Sequence, residues 1–366
     1  MFNFLKRIAA SIQNPAADRK ILFLDDADDK LKIKDSNGDL ETLTLGGGSA
    51  TEDAIINGLT VGKGAGNIAT NTAAGSNALL NNTTGPDNVA VGADALYSNT
   101  DTGYHTAIGY QALYSNIVGW NSTAVGRHAL YSNTNGSANV AVGHRALYSN
   151  TTANFNTAVG VQALYLNTTG TLNAAFGFNA LYANTTGNNN TAIGRGAMEL
   201  NTTGSNNSAN GIYALFTNTT GSNNVADGYQ AGRYITGGGS NQTSNNSLYL
   251  GYDTRASADG NTNEIVIGHT AIGLGSNTAV LGNASIVTTA LRGSVGVNTT
   301  SPNASAQLQI DSTTKGFLPP RMTAAQATAI ASPAEGLLVY VTDTDGTFTT
   351  KGWWGYDGAA WKKLDN

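Results

Sequence analysis

Glycine returns every 17 residues ten times without interruption, at Gly75, Gly92, Gly109, Gly126, Gly143, Gly160, Gly177, Gly194, Gly211 and Gly228. A spacing kept this strictly requires one supersecondary unit stacked on copies of itself. The unit reads as in Asn156-Thr157-Ala158-Val159-Gly160-Val161-Gln162-Ala163-Leu164-Tyr165. A chain built this way makes a long rod, and rods of this kind seldom do chemistry.

Comparing the copies assigns a role to each position. Alanine always stands two residues before the glycine (Ala73 to Ala226) and again three after it (Ala78 to Ala231). Leucine stands four after it in eight copies, with Met198 and Gly232 as exceptions, and asparagine seven after it in nine. The next two positions after the glycine vary, as in Tyr110-Gln111, Arg127-His128 and Phe178-Asn179. Invariant small or apolar residues belong inside, and variable polar ones face water.

Helical repeats are excluded by length, since they need roughly 33 to 47 residues. Asn, Thr and Gly also favour turns over helix interiors. Runs such as Thr157-Ala158-Val159 and Thr106-Ala107-Ile108 suit short strands, each followed by turn signals. Each coil is expected to hold one or two strands paired with the coils above and below. Asparagine at one fixed position suggests a side-chain ladder along the stack. The interior of alanine, valine and one leucine per coil buries little apolar surface against about 1–2 kcal/mol of backbone entropy per residue. Three coils side by side would share a core built from the leucine and tyrosine rows, so a trimer is expected.

The 17-residue repeat resembles the heads of trimeric autotransporter adhesins, left-handed parallel β-rolls that also read A-[VI]-G. It is closer to repeat-bearing bacteriophage tail fibres. Asn57-Gly58-Leu59-Thr60-Val61-Gly62-Lys63-Gly64 resembles the entry to such fibre repeats. Asn263-Glu264-Ile265-Val266-Ile267-Gly268, with Gly275-Ser276-Asn277-Thr278-Ala279-Val280-Leu281-Gly282, resembles their exit. Lys315-Gly316-Phe317-Leu318-Pro319-Pro320-Arg321-Met322 through Trp361 resembles a terminal module of the same proteins. The resemblance implies an all-β fold: a parallel β-solenoid (β-roll) shaft in a homotrimeric fibre, with a small N-terminal β-meander and a C-terminal mixed knob.

Composition narrows the function classes. Only 12% of the chain is charged, and the formal net charge is −5. Nine charged side chains lie between Ile68 and Asn245, none of them lysine, whereas residues 18–41 hold thirteen. Such a shaft has no electrostatic footprint for nucleic acid. Without cysteine there is no disulfide, thiolate nucleophile or zinc–cysteine site. The apolar stretch near the amino terminus is too short for a secretory segment or a membrane span. The carboxy-terminal Lys362-Lys363-Leu364-Asp365-Asn366 is polar rather than a membrane-embedded β-segment. These features favour a virion protein, assembled in the host cytoplasm without membrane insertion, over a self-exporting adhesin.

Three segments are expected. Residues 1–48 place Phe2, Leu5, Ile8, Ala9 and Ile12 at helical spacing, ended by Asn14-Pro15, followed by a β-meander. The helix reads equally as a cap on the meander and as a plug into the virion. Asn37-Gly38 supplies a hairpin turn. Asp25-Asp26-Ala27-Asp28-Asp29 lacks the spacing of a calcium loop and reads as a solvated turn. Gly46-Gly47-Gly48-Ser49 is a flexible joint. Residues 49–292 form the shaft. From Gly228 to Gly251 the spacing is 23, which places a surface loop at residues 234–241, and from Gly268 to Gly282 it tightens to 14. Residues 293–366 form the knob, with a capping box at Thr323-Ala324-Ala325-Gln326 and strands at 337–341 and 352–356.

No active site, metal site or cofactor is expected. Hydrolysis needs two converging carboxylates, and the shaft's Asp87, Asp94, Asp101, Glu199 and Asp227 are never doubled within a coil. His105, His128 and His144 are read as outward, variable positions. Tyr97, Tyr114, Tyr131, Tyr148, Tyr165 and Tyr182 occupy one row, better suited to stacking within the rod than to a glycan groove. Paired threonines such as Thr168-Thr169 point to opposite faces and build no flat ice-binding array. Candidate receptor contacts are Trp353, Trp354, Tyr356 and Trp361, with the competing reading that they are the knob's own core. The expected function is a tail fibre that adsorbs to a host-surface glycan or protein and is held to a virion tail or neck protein through residues 1–45. The alternative is a spike or decoration on the capsid or neck without receptor binding.

Overall fold

The structure, a computed structural model, describes residues 61–364 apart from 290 and 292, and ahead of them the backbone of short strands between 21 and 60. The expected N-terminal helix, the turns at 25–29 and 37–38 and the glycine joint at 46–49 fall on or across residues outside that description. The chain forms two compact units, Met1–Val287 and Thr288–Asn366. In the first, β1 (Ile21–Asp25), β2 (Lys30–Lys34) and β3 (Leu40–Thr42) pair antiparallel as the expected meander. Next come β4 (Ala54–Ile56), β5 (Leu59–Gly62) and β6 (Thr72–Ala74), then one three-residue strand per coil from β7 (Val89–Val91) to β18 (Ala279–Leu281).

These strands, β4 to β18, form one fifteen-stranded sheet in sequence order, parallel from β6 onward. The register is set by the period: Val140, Ala141 and Val142 lie opposite Thr157, Ala158 and Val159. The alanine two before each glycine points inward and is fully buried, and its neighbours point out, as strand alternation requires. The alanine and leucine rows after the glycine are buried too, with Leu79, Leu96, Leu113, Leu130, Leu147, Leu164 and Leu181 all at 0% exposure. This corrects the expected trimer core. The leucines fill the interior of a single chain and are not available to a partner.

Each coil closes through unusual backbone. The repeat glycine has φ between 124° and 143° in the ten copies, a region open to glycine alone. A Cβ at Gly92 would lie 2.7 Å from the carbonyl carbon of Gly109 in the next coil, so close stacking also demands glycine. Two residues later, and again at the buried leucine, φ is left-handed: 57° at Arg145 and 52° at Leu147. Left-handed backbone disfavours a β-branched side chain most. That explains why the interior row is leucine or methionine and never valine or isoleucine. At Gly232, where leucine is missing, Tyr249 of the following coil replaces the inward alanine, is itself fully buried and fills the space.

Backbone groups outside the strands are also paired from coil to coil. The leucine N–H donates to the second alanine carbonyl of the next coil (Leu147 to Ala163, 3.0 Å), and the threonine after the asparagine donates to its counterpart (Thr168 to Thr185, 3.0 Å). The coil therefore contains one short strand but several axial hydrogen-bond columns. Buried backbone must be paired, and here most of the pairing is with adjacent coils, supplemented by turn bonds inside each coil such as Ala146 to Gly143 and Asn150 to Leu147. At the amino end, β5 meets β6 antiparallel and closes the edge with a hairpin. The loop after the tenth copy projects as expected, with Gly237, Gly238 and Gly239 exposed and Tyr234 bridging Ser240.

The second unit is small and mixed. β19 (Val295–Val297) pairs parallel with β20 (Leu308–Ile310). β21 (Arg321–Met322), β22 (Leu338–Val341), β23 (Gly352–Tyr356) and β24 (Trp361–Lys363) form a four-stranded sheet. The helix α1 (Ala324–Thr328) starts with the expected capping box: Thr323 accepts from the Gln326 N–H, and the Gln326 side chain accepts from the Thr323 N–H. Ala324 and Ala327 of α1, Val339, Val341, Phe348 and Trp354 make its core.

Candidate functional site

Two asparagine ladders run through the solenoid. In the first, the asparagine seven after the glycine donates from Nδ2 to Oδ1 of the one before it, from Asn99→Asn82 to Asn218→Asn201, at 2.8–3.1 Å. The same nitrogen reaches its own coil's turn carbonyl, as Asn133 does at Gly136 (2.9 Å). The second ladder stands four before the glycine. There the backbone N–H of each coil donates to the side chain one coil earlier, as Asn156 does to Asn139 Oδ1 (3.0 Å). Eight of the ten copies carry asparagine at this position, so the signal was present in the repeat.

His105 belongs to the second ladder, contrary to its expected outward position. It stands where other coils have asparagine and is 1% exposed. Its Nδ1 accepts the Ser122 N–H at 3.2 Å, which fixes the proton on Nε2, facing Thr102 Oγ1 and the backbone of Gly119. Burial pushes the imidazole down to about 4, against smaller upward effects of its bonds with Gly119 and Ser122. Glu264 occupies the same row where the coil narrows. Its buried carboxylate accepts from the Gly275 N–H (2.9 Å), the Ser257 N–H (3.3 Å) and Asn261 Nδ2 (3.1 Å). The longer side chain thus closes a shortened turn.

The tyrosine row is a continuous stack. Ring centroids from Tyr97 to Tyr182 are 5.1–5.2 Å apart with interplanar angles of 5–16°. The rings spend their faces on one another and offer solvent mainly edges and hydroxyls, which removes the platform a sugar ring would need. Beside the stack, Arg127, His128, His144 and Arg145 bring four basic side chains into two successive coils. Burial first, then the neighbouring arginines, lower both histidines. His128 Nε2 lies 3.1 Å from Gln111 Oε1, and the Arg145 guanidinium lies 5.8 Å from the Tyr148 ring centre.

Near the loop the stack gives way to an arginine–aromatic cluster. The Arg233 guanidinium lies 4.9 Å from the Tyr213 ring, 4.5 Å from Phe216 and 4.7 Å from Tyr234. Arg255 also faces Tyr234 and is held by Asp253 at 2.6 Å.

The four aromatic candidates of the second unit do not share a surface. Trp354 is 5% exposed, meets Phe348 edge-on at 5.0 Å and donates from Nε1 to the Thr350 carbonyl. Trp361 packs against Phe348 (5.5 Å) and Tyr356 (5.5 Å) on that side. Trp353 points to the opposite face of β23 and meets Tyr340 edge-on at 5.4 Å. Trp353, Tyr356 and Trp361 are half-buried. More exposed apolar side chains of the unit lie elsewhere, at Phe317 (65%) and Leu318 (71%).

Among the described residues, no cluster of His, Cys, Asp and Glu is placed to hold a metal ion, and no helix is long and apolar enough to cross a membrane. No curated protein and no solved structure matches the chain. Residues 296–366 match the family model described as the phage tail like trimerisation region. That region and the parallel β-solenoid ahead of it fit a repeat-bearing phage tail fibre-like protein of structural type.

Proposed function

We propose that this chain is a homotrimeric tail fibre that adsorbs to the host cell surface. The observation carrying this reading is the trimerisation match at 296–366 in a chain whose preceding unit is a long solenoid. The proposed division of labour has residues 1–48 attaching to a virion tail or neck protein, residues 49–292 forming the shaft, and residues 293–366 joining the copies and presenting the receptor face. Catalysis has no part in it. Light scattering of the full chain should give about three times 37.6 kDa. Purified protein should also compete with intact virions for adsorption to host cells. A monomer, or a trimer that leaves adsorption untouched at saturating concentration, refutes the respective half of the proposal.

Within the knob, Trp353 is the proposed receptor contact, with Tyr356 and Trp361 at the sheet margin and Trp354 contributing through the fold. Trp353→Ala should reduce adsorption while the knob melts normally. A second reading, a spike or decoration without receptor binding, draws support from the mutual packing of Trp354, Trp361, Tyr356 and Phe348. It predicts that Trp353→Ala and Trp354→Ala alter melting alone.

A further inference from the structure

The outer face of the solenoid sheet is uncovered in one chain. From Val91 to Ile193 the residue before the repeat glycine is valine, isoleucine or phenylalanine in seven consecutive coils. Val91 (37%), Ile108 (40%), Phe176 (39%) and Ile193 (44%) are exposed, and Val125, Val142 and Val159 are half-buried. Two residues earlier on the same strands, and on the same face, stand Val89, Thr106, Thr123, Val140, Thr157, Ala174 and Thr191. No charged or amide side chain interrupts these two rows over the seven coils. Parallel sheets normally have both faces covered, and a contiguous apolar strip of this length marks an association surface.

We propose that this face is occupied by further copies of the same chain, the equivalent strips of the three solenoids meeting along the axis of the trimer. The inference rests on the trimer reading above. It replaces the leucine and tyrosine rows as the lateral contact, because the leucines are spent inside each chain and the tyrosines on one another. Copies joined through residues 296–366 hold their solenoids at high effective concentration, so a weakly apolar strip suffices for lateral packing. The strip also carries a register mark. After Ile193 the same row reads Asn210 and Asp227, with Asn210 Nδ2 donating to Asp227 Oδ1 at 3.0 Å, before Leu250 and Ile267 resume it. A slip of one coil would exchange one apolar residue for another almost everywhere except here, where it sets Asp227 against an apolar neighbour. A single polar layer fixes register in coiled coils by the same means.

The chain has no cysteine, so single-cysteine variants report contacts cleanly. Full-length Val142→Cys and Phe176→Cys, with Ser149→Cys and Thr169→Cys on other faces as controls, are treated with a short bis-maleimide. They are then resolved on a denaturing gel, alongside light scattering of each untreated variant. Covalent dimers at 142 and 176, with none at 149 or 169, support the proposal. Three-chain mass without cross-links at 142 and 176, or with them at 149 or 169, overturns the assigned face and leaves the trimer standing. One-chain mass with a normal strand-type circular dichroism spectrum removes the trimer reading and this inference with it.

Discussion

Acidification should loosen the solenoid at His105. The buried imidazole accepts the Ser122 N–H on Nδ1, so protonation must break that bond and place a charge in the interior. In the unfolded chain the same side chain titrates at its ordinary 6.5, and in the fold at about 4. Above pH 6.5 both states are neutral and stability is complete. As pH falls below 6.5 the unfolded chain takes the proton first, so stability drops until about pH 4, where the folded imidazole is also charged. At about 1.36 kcal/mol per unit, the loss approaches about 3 kcal/mol per chain. His105→Asn supplies the control. Asn88 Oδ1 accepts the His105 N–H one coil earlier, and Asn139 Nδ2 reaches the Ala153 carbonyl, so asparagine can make both bonds of this row. Hydrogen exchange of the segment around 102–122, corrected for intrinsic rates, should lose protection between pH 6.5 and 4 in the natural chain and keep it in the variant. The other shaft histidines are common to both proteins and cancel in the difference. Equal pH slopes in the two proteins would refute the reasoning.

Asn150→Ala interrupts the first ladder between Asn133 and Asn167, each bonded to it at 2.8–3.0 Å, and should cost about 1–3 kcal/mol for each buried group left unpaired. Ser149→Ala, next to it on the surface, should stay within about 0.5 kcal/mol in the same melting experiment. Leu147→Ile should destabilise more than Leu147→Met although both keep the volume of leucine, because Leu147 has a φ of 52°, which disfavours a β-branched side chain, and methionine already serves at Met198 with 50°; equal losses would show that β-branching is not what excludes isoleucine from the row. Trp354→Ala should lower the stability of the second unit by about 3–5 kcal/mol, and Trp353→Ala by clearly less, read by near-ultraviolet circular dichroism on heating.

The period determined most of this fold. A coil of 17 residues with glycine and alanine at invariant positions can stack in only one register, so the parallel sheet, the inward alanines, the projecting loop at 234–241 and an asparagine ladder all followed from position and spacing. The local chemistry of Thr323 and Gln326 likewise specified α1, since a capping box needs no distant partner. Rows whose role depends on where the coil turns were not legible. Leucine and tyrosine both look like partners for another chain until left-handed backbone at residues such as Arg145 and Leu147 turns the leucine inward and leaves the tyrosines to stack along the axis. His105 looked like a variable surface residue because its kinship with Asn88 and Asn139 is one of position within the coil and not of residue type. Only the tertiary structure showed that these side chains share one buried hydrogen-bond column. In the second unit the sequence supplied the aromatic residues, but the pairing of β22 with β23, and of β23 with β24, decided which of them became core. Trp354 and Trp353 differ by one position, and strand alternation sends one to Phe348 and the other to Tyr340.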